Sequence, residues 1–256
     1  MKNNKKKKII ILLIIIGVPI VLSIGTAVFV PGLPIYIIYK DKFPNAYIQL
    51  TEFDDYDVHF DSDTQTQLIE IGDITAHIPA DFYFQHERAY PIAYRHEDNN
   101  DLLFSILPLP QEEFNLVENV VETADKKGIN EKDALRMFTS LGIEPPETRF
   151  DFLYTTHALA WDNFNIKSFT NSMSFMVLAL GKEVPYSSLL FSREQYYYEN
   201  EYIKGFIYAG KDEENSELTK YICDFFYTDD GNKSFIIIIY TQDNKTAYSF
   251  INSIRT

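Results

Sequence analysis

The sequence predicts an α+β protein, with a single N-terminal transmembrane helix followed by one domain in which an antiparallel β-sheet packs between helices. Three observations lead there. Residues 9–30 form an apolar run without a single acid, directly behind Lys2, Lys5, Lys6, Lys7 and Lys8. Beyond it, short alternating runs bounded by turn residues come first, segments of helical period follow, and β-rich runs return before a last helical stretch. Aromatic residues make up 15% of the chain, too many for a disordered tail. The expected organisation is a basic cytoplasmic tail (1–8), a transmembrane helix (9–30), a juxtamembrane connection (31–66) and an extracytoplasmic α+β domain (67–256).

A helix over residues 9–30 is about 33 Å long, enough for a hydrocarbon core of ~30 Å. It also satisfies its own backbone polar groups in lipid. The lysine cluster stays in the cytoplasm by the positive-inside rule, so the remainder of the chain faces outward. Pro31, Gly32 and Pro34 end the helix, and Tyr36 and Tyr39 suit the headgroup zone. The expected partner of residues 9–30 is therefore the lipid bilayer, at the cell membrane. The rival reading is a signal peptide cut after Gly25-Thr26-Ala27, which would release a secreted protein. Val28, Phe29 and Val30 continue the apolar run past that site and favour the anchor.

The residues beyond Val30 lose five lysines and no acid, leaving 18 Lys and Arg against 37 Asp and Glu, a net charge of −19. A surface this acidic excludes nucleic acid as a partner. The single Cys223 excludes an internal disulfide framework, so stability must come from an ordinary core.

Residues 67–71 and 74–78 pattern as a strand pair turning at Gly72-Asp73, with Pro79 stopping the second. Residues 91–96 and 102–107 are a second pair across Glu97-Asp98-Asn99-Asn100-Asp101. Residues 114–127 carry Leu116, Val117, Val120, Val121 and Ala124 on one helical stripe. Asn130, with Asp133 three residues on, caps a helix that ends at Gly142. Residues 147–160 and 169–180 also pattern as helices. Strands follow at 188–194, 202–209, 221–228 and 234–240, the last two joined by the hairpin turn Asp229-Asp230-Gly231-Asn232. Ile236 to Ile239 are apolar on both faces, which suits a central strand. Asp243 or Asn244 caps a closing helix carrying Ala247, Phe250, Ile251 and Ile254.

This order of elements, with the ending Phe250-Ile251-Asn252-Ser253-Ile254, resembles the PsbP-like superfamily over residues 67–256. The resemblance implies an antiparallel sheet between helices and a binding or assembly role. It carries over no functional residues.

Catalytic motifs are sparse. Gly-x-Ser-x-Gly and the glycine-rich phosphate loops are missing. His86-Glu87 and His96-Glu97 begin like a zinc-protease helix, but Tyr90 and Asn100 stand where the second histidine belongs. Asp54, Asp55, Asp57, His59, Asp61 and Asp63 alternate partly with apolar residues and pattern as a solvated strand edge. As a calcium loop they fail, because Thr66 replaces the turn glycine and Gly72 the bidentate Glu. Cys223, His77 and His157 fit structural positions. No catalytic residue, metal ligand or cofactor is expected.

The recognition surface expected from the sequence is Tyr196, Tyr197, Tyr198 and Tyr202, since an exposed Tyr offers an apolar ring with a polar tip. Strand alternation also predicts that about half of these rings enter the core. The expected function is a membrane-anchored extracytoplasmic binding or assembly module for an envelope protein or glycan. The alternative is an extracytoplasmic hydrolase of cell-wall glycan. That needs two carboxylates about 5–9.5 Å apart, drawn from Glu183, Glu194, Glu199, Glu201 and Asp224. A calcium-dependent adhesin is a third class.

Overall fold

The structure is a computed structural model, and it describes residues 50–84, 92–99, 101–124, 129–159, 194–212 and 215–256. Local chemistry sets most of the elements. β2 (Thr66–Ile71) and β3 (Ile74–Pro79) turn at Gly72, whose φ of +64° is a conformation that glycine adopts without a Cβ penalty. Helix α1 spans Leu116–Ala124. Helix α2 (Glu131–Thr139) starts where the Asn130 side chain accepts the Asp133 amide at 3.0 Å. It closes at Gly142, φ +75°, as the Ile143 amide returns to the Phe138 carbonyl at 3.1 Å. Helix α3 (Arg149–Ala158) begins later than the periodicity predicts. Thr148 and Asp151 form a capping box that fixes its first turn. Helix α4 (Asn244–Asn252) is capped by Asp243, which accepts the Thr246 amide at 2.7 Å.

The remaining strands are β1 (Thr51–Glu52), β4 (Phe82–Phe84), β5 (Ile92–His96), β6 (Leu103–Pro108), β7 (Glu194–Glu199), β8 (Ile203–Lys211), β9 (Thr219–Tyr227) and β10 (Ser234–Thr241). Eight of them form one sheet in the order β1-β7-β8-β9-β10-β6-β5-β4, while β2 and β3 pair with each other in a second sheet and Thr75 of β3 bridges Arg255.

This corrects the predicted architecture. The main sheet is mixed, because β1 runs parallel to β7 with Thr51 opposite Tyr196 and Glu52 opposite Tyr197. No turn links β1 to β7 in sequence, so nothing local imposes antiparallel pairing. The β2–β3 hairpin forms a second small sheet, laid on the first rather than joined to it. Its buried face of Ile69, Ile71, Ile74, Ala76 and Ile78 belongs to the same core cluster as the main sheet. A single antiparallel sheet between helices is therefore not what the chain builds. Among the described residues no helix is long and apolar enough to cross a membrane. The predicted span at 9–30 and the predicted helix at 169–180 lie outside the described residues. So do most of the strand predicted at 188–194 and the whole motif His86-Glu87.

Two faces cover the sheet. On the first, Phe104, Ile106, Ile207, Cys223, Phe225, Ile237 and Ile239 meet the β2–β3 hairpin and the α4 residues Phe250, Ile251 and Ala247. On the second, Phe206, Tyr208, Ile222 and Phe226 meet Phe150 of α3. Phe152, on the far side of α3, packs with Val120 of α1 and Ala134, Met137 and Phe138 of α2. The helices α1 and α2 thus reach the sheet through α3.

At Gly205 the neighbouring backbone of β9 leaves no room for a side chain. A Cβ there would stand 2.1 Å from the Asp224 carbonyl oxygen and 2.9 Å from the Phe225 Cα. Both are backbone atoms and cannot swing aside. Gly205→Ala is expected to lower unfolding free energy by about 1–3 kcal/mol through overpacking, measured by urea denaturation. An unchanged midpoint would show that the strands separate freely there.

Candidate functional site

Strand β7 lies near one end of the sheet, and among the described residues its outer side pairs with the two residues of β1. Pleating sends its tyrosines to opposite faces. Tyr198 is fully buried on the first face, where its hydroxyl donates to Asn252 Oδ1 at 3.2 Å and accepts from Asn200 Nδ2 at 3.0 Å. Tyr196 shares that face, is half-buried, and donates to Glu194 at 3.0 Å. Tyr197 turns to the second face, where it meets Phe150 and Tyr154 of α3. Tyr202 sits in the β7–β8 turn, its ring beneath the Arg255 guanidinium at 4.9 Å. The four predicted tyrosines are therefore divided among the core, two faces and a turn. Burial pushes the Tyr196 and Tyr198 hydroxyls up to about 12, so they serve as neutral donors.

Tyr196 joins a larger aromatic group that the sequence does not single out. Phe53 has ring centroids 5.4 Å from Tyr56, 6.3 Å from Tyr196, 5.3 Å from Tyr198 and 5.0 Å from Tyr248. Phe53 itself lies in the stretch read as a juxtamembrane connection. Edge-to-face packing at these distances holds the rings in fixed orientations.

The acidic stretch 54–63 leaves the sheet at this cluster. It forms turns rather than the strand edge its alternation predicts. The reason is a single side chain. Asn252, 6% exposed at the end of α4, donates from Nδ2 to the Asp55 and Val58 carbonyls, each at 2.9 Å. Those carbonyls are the acceptors that a ladder would have used. The turned loop and α4 enclose an open hollow of about 630 Å³, lined by Asp55, Asp57, Val58, His59, Asn244, Lys245 and Tyr248. Tyr221 secures its rim by donating to Asn244 Oδ1 at 2.6 Å. Lys245 is drawn to Asp61 at 2.6 Å, an exposed pair that adds little stability. Among the described residues no group of three or more His, Cys, Asp or Glu is placed to hold a metal ion.

A search of protein-family models and a search of curated proteins each found no match. Neither bears on the resemblance in element order drawn from the sequence, so the site must be read from its own chemistry.

Of the carboxylates considered for hydrolysis, Glu194 and Glu199 occupy opposite faces of β7, and Glu183 lies outside the described residues. Asp224 is on the second face of β9, opposite Phe206 and Ile236. Its Oδ1 is closed off from solvent and accepts no hydrogen bond. Desolvation raises its pKa to about 6, against a smaller opposing pull from Arg149. Asp224 lies on the far face from the hollow. His157, fully buried on α3, is bonded through Nε2 to the Tyr208 hydroxyl at 2.8 Å, and its ring lies 4.5 Å from that of Phe206. Cys223 is fully buried, and loss of solvent pushes its thiol up. His77 is exposed on β3, and its backbone amide donates to Ser253 Oγ at 2.9 Å.

A carboxyl with a raised folded pKa is destabilising when ionised, so the penalty is full above about pH 6 and fades as pH falls towards the ordinary value of 3.8. Asp224→Asn is therefore expected to raise stability by about 2–3 kcal/mol at pH 7.5 and to change it little at pH 4, as read by thermal unfolding at both pH values. Equal effects at the two values would contradict the assigned burial of the charge.

Proposed function

We propose that the chain is a membrane-held binding module that takes up a basic segment of an envelope protein in the hollow between the acidic loop and α4. The observation that carries this reading is the composition of the hollow. Asp55 and Asp57 supply negative charge, the Lys245 cation on the same lining is held by Asp61, the Tyr248 ring supplies an apolar wall, and Asn252 fixes the loop that presents the acids. A Lys or Arg side chain matches both features, its stem lying along the ring and its head meeting the carboxylates. The net charge of −19 beyond Val30 adds long-range attraction for a basic partner. The lysine-led run at 9–30 supports attachment to the bilayer with this surface outside.

The reading makes binding electrostatic and local to the loop. A hexalysine peptide is the probe, titrated against the full chain in lipid nanodiscs by fluorescence anisotropy. Affinity is expected to fall about tenfold in the double variant Asp55→Asn/Asp57→Asn, and to weaken steeply between low and physiological salt. Equal affinity of the variant, or tighter binding of a hexaglutamate peptide, would remove the proposal.

A further inference from the structure

The second face of the sheet carries an arrangement that the hollow does not explain. Asp224, Ser234 and Ser105 all fall on this face by strand register, as do Ile222, Ile236 and Ile238. Ser105 and Ser234 are 2% and 3% exposed, and their hydroxyl oxygens have no hydrogen-bond partner. Asp224 Oδ1 is likewise buried and unpartnered. Ser249, another such group, belongs to α4 on the opposite side of the sheet. An unpaired buried polar atom is costly, and a cluster of them on one face calls for an occupant.

The first amides of α3, which covers this face, are already spent. At the start of α3 the Arg149 amide donates to Asn232 Oδ1 and the Phe150 amide to the Gly231 carbonyl, both at 3.0 Å. The Asp151 amide donates to Thr148 Oγ1 at 3.1 Å. Arg149 acts on Asp224 only through space, with no hydrogen bond between them. The carboxylate therefore keeps room for a donor brought from outside.

The register sets the shape of that donor. Ser234 is the diagonal neighbour of Asp224 across β9 and β10, so the two groups lie about 7–8 Å apart at the backbone. Ser105 is two strands and two residues away, about 12 Å from Asp224. Between these ends lie Ile236, Ile238 and Leu107, all half-buried; Ile236 and Ile238 pack against the Phe150 cluster on one side and keep part of their surface open.

We propose that this face binds a small amphiphilic amine, its ammonium group donating to Asp224 and Ser234 and its apolar body lying along Ile236 and Ile238 towards Ser105. Among the described residues Asp224 is the acid on this face with a buried, unpartnered oxygen, and its charge selects a cation, while the isoleucines select an apolar body about 10 Å long. This site stands on the opposite side of the sheet from the hollow, and it does not depend on the basic-partner reading.

The experiment uses the full chain in nanodiscs with isoleucine methyl labels, titrated with 4-phenylbutylamine and, separately, with the uncharged 4-phenylbutanol. The expected result is a saturable shift of the Ile236 and Ile238 methyl signals with the amine. Its affinity should drop about tenfold or more in Asp224→Asn and for the alcohol. Ser234→Ala, which leaves the buried charge in place, should weaken the amine by a smaller factor and provides the reading if Asp224→Asn fails to fold. Three results would each overturn the proposal: no saturable shift at millimolar amine, equal binding of the alcohol, or wild-type affinity in both variants.

Discussion

The structure depends on three adjacent strands that cannot be left open to water on either side. β8, β9 and β10 bury Ile207, Cys223, Phe225, Ile237 and Ile239 on one face and Phe206, Tyr208, Ile222 and Phe226 on the other. Each fully buried large apolar side chain contributes about 1.5–3 kcal/mol, so both faces need a cover. The chain provides two. The β2–β3 hairpin and α4 close one side, and α3 closes the other with α1 and α2 stacked behind it. The ends of the sheet are where that demand relaxes, and the aromatic edge at β7 is one of them.

The hollow follows from how one cover is fastened. Asn252 belongs to the buried end of α4, yet its side chain reaches the acidic loop on one side and the Tyr198 hydroxyl on the other. Three bonds from one buried amide satisfy that amide and hold the loop away from the sheet. The carboxylates then face solvent, where their charge costs little, while the loop carbonyls are paired. The acids are displayed because the backbone beneath them is committed.

Local chemistry was legible in the sequence and long-range pairing was not. The Gly72 turn, the Asp229–Asn232 hairpin and the Asn130 and Asp243 caps each rest on two to four neighbouring residues, and each is in place. Strand alternation also foretold that the tyrosines of β7 would be shared between core and surface. It could not say which ring faces which layer, because that depends on β1 arriving from a distant part of the chain. The separate β2–β3 sheet was hidden for the same reason, since its apolar stripe fits a lid as well as a sheet strand. Asp224 stood out as an acid in an apolar strand, although the pairings that isolate it come from β8 and β10. The hollow joins residues 55–59 to 244–248, and no pattern within either segment announces the other. The acidic alternation misled, because Asn252 takes the backbone acceptors that a strand would have used.

The proposed function requires these surfaces to lie outside the cell, with residues 9–30 as the expected bilayer attachment. The most direct test is cysteine accessibility in intact cells. Cys223 is fully buried and should stay silent, so Asp57→Cys reports the hollow and Lys5→Cys reports the basic tail. With a membrane-impermeant maleimide, the account predicts that Asp57→Cys labels in intact cells and Lys5→Cys only after lysis. Labelling of Asp57→Cys only after lysis would contradict it.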